Sequence, residues 1–234
     1  MFIPIYDDNK LMKIKFQYMT LALIATNIAI YVLFPAGTDL GVIASFGVVP
    51  DELIASLGFA ATPSPGIGTL SVPESYTLLT YMFFHADPLH LGGNMLFLWI
   101  FGDNVEDAIG HVKFLLFYLL CGVFAGIVHS AVVMQTAQAS GTGIPLIGAS
   151  GAIAGVLAAY LMLHPKVRIW VLALPIIPLR VSAALAIGAW IIYQLIMAWT
   201  SSGGQVAWWA HVGGLIAGAL LILVFRRPGV RLFQ

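Results

Sequence analysis

Apolar residues fall in six long runs along this 234-residue chain, and polar stretches separate them. The first run, residues 16–34, follows a polar segment, residues 1–15, that carries Lys10, Lys13 and Lys15. It is long enough to cross a bilayer. It exceeds the usual core of a signal peptide and lacks a small-x-small cleavage site, so it reads as an anchored helix. Residues 35–76 form a long first loop rich in Gly, Pro, Ser and Thr, with only acidic charges: Asp39, Asp51, Glu52 and Glu74. Within it, residues 40–46 and 52–60 are expected to form short helices lying in the interface.

The second run is interrupted at His85-Ala86-Asp87-Pro88. Asp suits a helix cap and Pro the first helical position, so a helix is expected from Pro88 to about Asn104. The third helix is expected over 114–134, and a Gly-rich loop over 136–148. The fourth, 150–163, is short, about 21 Å at 1.5 Å per residue. A short helix behind such a loop implies that the loop dips below the membrane surface, where irregular backbone needs surrounding protein or a water-filled cavity. The fifth helix is expected over 181–199, with 170–178 a Pro-broken lead-in, and the sixth over 208–225.

Composition agrees with a membrane protein. The chain is 60% hydrophobic and 9% charged, with a mean hydropathy of +0.97, whereas soluble domains carry about 25% charged residues. Zero net charge gives no hint of nucleic acid. The single cysteine, Cys121, excludes an internal disulfide framework and a multi-cysteine metal site.

Charge position fixes an expected orientation. With six crossings, all ten Lys and Arg residues fall on one side. By the positive-inside rule that side is the cytoplasm, so both termini lie inside. The domain is thus expected to run from 16 to 226, between an N-terminal cytoplasmic segment, 1–15, and a tail, 227–234. Trp199, Trp208 and Trp209 flank the outer turn before the sixth helix, as interface aromatics should.

Helices two, four and six then start at the same outer depth. Helix two brings His90 and Asn94, four residues apart and so on one face. Helix four brings Ser150 between Gly148 and Gly151, and helix six brings His211. Gly151 and Gly155 make a small-xxx-small strip, as do Gly214 and Gly218, and such strips let helices approach closely. Ionisable groups at membrane depth are functional candidates. Ser150 suits a nucleophile, with His211 its general base. His90, Asn94 and the Ser150 N–H suit an oxyanion hole. Helices four to six hold no acid to orient the histidine, which points to a dyad. Asp87 reads as a cap, His85 as a brace for the first loop, His129 as a packing residue, and His111 and His164 as solvated. Glu106 reads as a tether for a helix end. There is no H-E-x-x-H motif, and no carboxylate joins His90 and His211, so the chemistry needs neither metal nor cofactor.

These residues carry a resemblance. Residues 85–95, HADPLHLGGNM, resemble the H-x4-H-x3-N signature of the rhomboid family of intramembrane serine proteases. Residues 101–106, FGDNVE, resemble its F-G-x3-E ending; 148–151, GASG, its G-x-S-G nucleophile motif; and 210–218, AHVGGLIAG, its A-H-x2-G-x3-G motif. The resemblance runs from about Gly47 to Phe225. It implies an all-α membrane protein, a six-helix bundle with a short central fourth helix and a water-filled cavity open to the outside. It implies Ser150 and His211 as the catalytic dyad, His90 and Asn94 on the oxyanion side, and single membrane helices as substrates, cut near their outer end. Two positions depart from the family. Ala154 stands where many members stack an aromatic on the histidine, so His211 is expected either to be held less firmly or to be packed by another aromatic such as Tyr160 or Trp209, and the first loop lacks Trp-Arg. The partners expected are transmembrane protein substrates and lipid, in a prokaryotic plasma membrane. A catalytically silent binding relative and a transporter are the competing classes. The first is disfavoured because both Ser150 and His211 are present, the second by the lack of an internal repeat and of an acid-lined midplane path.

Overall fold

The computed structural model describes residues 3–34, 40–59, 68–70, 72–135, 144–173, 177–201 and 206–233. Six of its helices are long: α1 (Tyr18–Leu33), α5 (Pro88–Ile109), α6 (His111–Gln135), α7 (Ser150–Leu163), α8 (Ala183–Thr200) and α9 (Trp208–Phe225). Three short ones, α2 (Leu40–Phe46), α3 (Pro50–Ser56) and α4 (Glu74–Thr80), lie between α1 and α5. By length and composition α6, α8 and α9 are apolar enough to cross a membrane; α1 and α7 are shorter apolar helices of 16 and 14 residues. The expected dip over 136–148 lies largely outside the described residues.

α7 is the most enclosed. Every residue from Gly151 to Tyr160 is buried, so its stripe-free apolar sequence is explained by neighbours on all sides. It packs on α5, α6, α8 and α9. Its tightest contact is with α9. A methyl on Gly214 would stand 1.9 Å from the Gly151 carbonyl oxygen, and one on Gly218 would stand 2.1 Å from that of Gly155. Only glycine lets the two backbones meet so closely.

α5 starts as the sequence predicts. The Asp87 carboxylate accepts from the N–H groups of Leu89 and His90, both at 2.8 Å, with Pro88 in the first turn. It runs to Ile109 rather than to Asn104, because the polar residues of its last turns are buried and paired. Asp107 accepts from the N–H groups of Met12, Lys13 and Ile14 at 2.6–3.0 Å. Glu106 accepts from the N–H groups of Met19 and Thr20 at 3.0 and 2.8 Å and from the Thr20 hydroxyl at 2.6 Å, and it also meets His111. Gln17 gives α1 no side-chain cap, so Glu106 supplies it from another helix, where a negative group also suits the helix dipole. The expected tether is thus a cap, and the half-exposed His111 is a partner in it.

Two expectations are corrected. The chain is not all-α. β2 (Arg168–Ala173) pairs antiparallel with β3 (Ile177–Ser182), and β1 (Ile3–Asp7) pairs on the other side of β2, in the order β1-β2-β3. Arg168-Ile-Trp-Val alternates, with Ile169 and Val171 buried and Trp170 exposed, which is strand periodicity. Pro4 and Pro178 both fall on edge strands, where a missing N–H is tolerated. The second first-loop helix spans Pro50–Ser56 rather than 52–60, and its segment is tied into the fold. Val48 and Leu53 are fully buried, α3 packs on α6, and Val48 pairs with Leu146 through two backbone bonds of 3.0 and 2.7 Å.

Candidate active site

The site is built at the N-terminal ends of α5, α7 and α9. Gly148 enters α7 with φ +112°, a conformation that glycine adopts without steric cost. Its N–H donates to the Tyr81 carbonyl at 2.9 Å, and Tyr81 is itself buried, with its hydroxyl on the Gly122 carbonyl at 2.7 Å. The His90 ring fills the space on Gly148: a methyl there would stand 2.7 Å from His90 Nε2 and 3.9 Å from Asn94 Nδ2. The buried His85 accepts from the Ala149 N–H at 3.4 Å and sets its ring edge-on to His90, centroids 5.0 Å apart. His85 thus braces the turn before Ser150 as well as the loop before α5.

Ser150 is the first residue of α7, so its N–H and those of the next residues have no carbonyl one turn back to bond. Its hydroxyl oxygen lies 2.8 Å from Nε2 of His211, in the first turn of α9. The imidazole is buried. Its other nitrogen, Nδ1, lies 2.7 Å from Oε1 of Gln194 on α8, itself buried. Trp190 lies against the ring with centroids 5.9 Å apart and planes at 36°, and Trp208 meets it edge-on at 6.1 Å.

The structure therefore brings His90, Asn94, Gly148, Ser150 and His211 to one level. Gly151 and Gly155 face Gly214 and Gly218 just below. The expected stand-ins for the missing aromatic are corrected. Tyr160 lies at the far end of α7, bonded to Asp7 at 2.5 Å, and Trp209 packs edge-on to Trp199 at 5.1 Å. Trp190 and Trp208 hold the ring instead. Ala154 is fully buried and would lie 3.3 Å from a methyl on Gly214, so the close approach of α9 occupies the side of α7 at that position. His164, expected to be solvated, sets its ring edge-on to Tyr160, centroids 5.4 Å apart.

Sequence reasoning missed Gln194. The signal was there: it is the one amide in an 18-residue apolar helix, and a polar group at such a place needs a partner. Among the described residues no group of three or more His, Cys, Asp and Glu is placed to hold a metal ion.

The family profile described as Rhomboid domain matches residues 72–228, which takes in every residue of this site. The chain belongs to the rhomboid family. Rhomboid relatives include Rhomboid protein 1, mitochondrial, of Saccharomyces cerevisiae, 30% identical over 154 residues, or 64% of this chain and 41% of that protein. The Presenilin-associated rhomboid-like protein, mitochondrial, of Mus musculus is 29% identical over 162 residues, 67% of this chain and 39% of its own. RHOMBOID-like protein 6, mitochondrial, of Arabidopsis thaliana is 32% identical over 151 residues, 63% of this chain and 43% of its own. This rhomboid chain thus spans between 39% and 43% of the length of these curated relatives. Their names place all three in mitochondria, not in the plasma membrane expected from the sequence.

Proposed function

We propose that this protein is an intramembrane serine endopeptidase that hydrolyses a peptide bond in or near the transmembrane helix of a protein substrate. One observation carries the reading: the Ser150 hydroxyl lies 2.8 Å from His211 Nε2, at the mouth of a buried apolar helix. The hydroxyl donates to the imidazole, which takes its proton as Oγ attacks the scissile carbonyl. The imidazolium then returns that proton to the leaving amine, and water repeats the cycle on the acyl-enzyme. The developing oxyanion is met by the Ser150 N–H, by His90 and by Asn94. Asn94 Nδ2 donates one proton to the His90 carbonyl at 3.0 Å and keeps its second for the oxyanion. No step needs a metal or cofactor.

The reading includes six crossings, α1, α5, α6, α7, α8 and α9, with both termini and the β-sheet cytoplasmic and the dyad opening to the opposite face. It is supported by the geometry. Tyr160, which meets Asp7 of the sheet, lies ten residues beyond Ser150 on α7, or about 15 Å at 1.5 Å per residue. The apolar α7 would be enclosed by its neighbours at the bundle's centre, with substrates and lipid as the only partners required.

The test is cleavage of a panel of tagged single-helix substrates in detergent and in liposomes, with Ser150→Ala, His211→Ala and a chelator control. Cleavage by the parent, lost in both variants and indifferent to chelator, is the expected result. Cleavage persisting in Ser150→Ala would sink the assignment. A parent that binds these substrates without cutting them would point to a silent binding relative.

A further inference from the structure

Gln194 lies in the middle of the inward strip of α8, Ala183, Ala186, Ile187, Trp190, Gln194 and Ala198, all buried. The spacing of three and four residues puts this strip on one helix face. The opposite face is apolar and exposed, with Leu185, Ile192, Ile196 and Trp199 among it. A primary amide buried in such a helix costs free energy unless it is hydrogen-bonded. Its side-chain oxygen lies 2.7 Å from Nδ1 of His211. With the oxygen on this side the amide can only accept, so Nδ1 carries the proton; the amide turned over would donate to a bare Nδ1 and reverse the tautomer. A neutral imidazole has one N–H, which leaves Nε2 bare toward the Ser150 hydroxyl 2.8 Å away. The other tautomer would set Nε2–H against the hydroxyl and remove its acceptor.

We propose that Gln194 is the positioning residue for His211, its amide oxygen holding the imidazole in the tautomer and rotamer in which Nε2 accepts the Ser150 proton. The proposal rests on the peptidase reading above and extends it from two side chains to a relay of three, Gln194, His211 and Ser150, drawn from α8, α9 and α7. Gln194 differs from the carboxylate of a Ser-His-Asp triad in one respect. It fixes the tautomer but brings no negative charge to stabilise the imidazolium that forms. Trp190, one turn earlier on α8, lies against the same ring, so a single helix supplies both the hydrogen bond and the wall that orient the base.

The experiment compares Gln194→Leu, Gln194→Met and Gln194→Glu with the parent by steady-state cleavage of one helix substrate across pH, in detergent. Leu and Met remove the acceptor at similar volume, and kcat should fall by about 10- to 100-fold with KM little changed. Glu restores an acceptor and adds charge. It should recover much of the lost kcat and move the acidic limb of kcat/KM to higher pH by about one unit or more, because a carboxylate favours the imidazolium. A glutamine that does not face the imidazole predicts no such displacement, and a merely structural one predicts no loss of kcat in the Leu and Met variants. The second measurement needs no variant: the 15N spectrum of the His211 imidazole in the full-length parent should show a protonated Nδ1 and an unprotonated Nε2. Parent-like kcat and pH profile in the Leu and Met variants, or a protonated Nε2 in the parent, would overturn the proposal. The same assay run on Ser150→Ala keeps the two readings apart. If the parent does not cleave, or cleaves without Ser150, the peptidase reading fails, while the 15N spectrum still decides the role of Gln194.

Discussion

Asn94 commits one amide proton to the carbonyl of His90, one turn back on its own helix. That bond aims the side chain at the space over Gly148, where a methyl would be 3.9 Å from Nδ2. In the proposed reaction the remaining proton is worth most when negative charge appears, not when substrate binds. Asn94→Ala should therefore lower kcat by about 10²-fold or more and leave KM near the parent value, as removal of one oxyanion donor does. Steady-state kinetics on a helix substrate checks it, and a change confined to KM would assign Asn94 to binding instead. Gly148 is constrained at the same scale by two independent demands, a φ of +112° and the His90 ring 2.7 Å from where a Cβ would stand. Trp190 and Trp208 do for His211 what an aromatic at Ala154 would otherwise do from α7, so the ring is held from α8 and α9.

At the scale of elements, the site depends on how closely α7 and α9 approach. Gly214→Ala would put a methyl 1.9 Å from the Gly151 carbonyl oxygen, which is backbone and has no rotamer to escape into. The helices must separate, at a cost typical of overpacking, about 1–3 kcal/mol. Thermal unfolding in detergent should show the loss. Gly188→Ala on α8 is the control, since nothing lies within 4 Å of the new methyl, and its effect should stay within about 0.5 kcal/mol. Equal stability of the two variants would mean that the strip does not carry the packing. Elements differed in how far the sequence revealed them. The start of α5 was legible because its signal is local: Asp87 and Pro88 sit at the cap and first turn. The glycine strips of α7 and α9 were legible from spacing alone. The end of α5 was not, since Glu106 and Asp107 look like residues leaving the membrane until their partners on residues 12–20 are known. The place of β1 was hidden for the same reason. β1 pairs with β2 across more than 160 residues, and no short window contains both. Gln194 could be seen as an oddity, but its partner lies on another helix.

The whole molecule has two ends with different chemistry. One holds the Ser150–His211 pair. The other holds a clip in which Asp7 of β1 accepts from the Tyr160 hydroxyl at 2.5 Å and from Asn104 Nδ2 at 3.2 Å, joining the sheet to α7 and α5. Burial pushes the Asp7 carboxyl up to about 6, against the Tyr160 bond, which lowers it. The carboxyls of Asp8 and Asp103 stand nearby. A folded-state pKa raised above the unfolded value means that the fold prefers the neutral acid. Its contribution is therefore complete below about 4 and lost as pH rises through about 6. Hydrogen exchange of the β1 amides should quicken between about pH 4 and 6 beyond the intrinsic dependence. Asp7→Asn, which stays neutral, should flatten that excess. An excess unchanged in the variant would assign it to another group.

The register of the sheet also has a consequence in time. Ile3 pairs with Leu172, so the strand made first is the strand that waits longest. At about 5–20 residues per second, its partner leaves the ribosome roughly ten to thirty seconds later. During that interval the strand's hydrogen-bonding groups have no sheet to join, and Asp7 has no Tyr160 hydroxyl to accept from. The clip can close only after four of the six long helices, α1, α5, α6 and most of α7, have been synthesised as far as Tyr160. Birth order therefore ties β1 into the sheet well after it is made, and its pairing marks a chain whose Ser150 helix, α7, is already in hand.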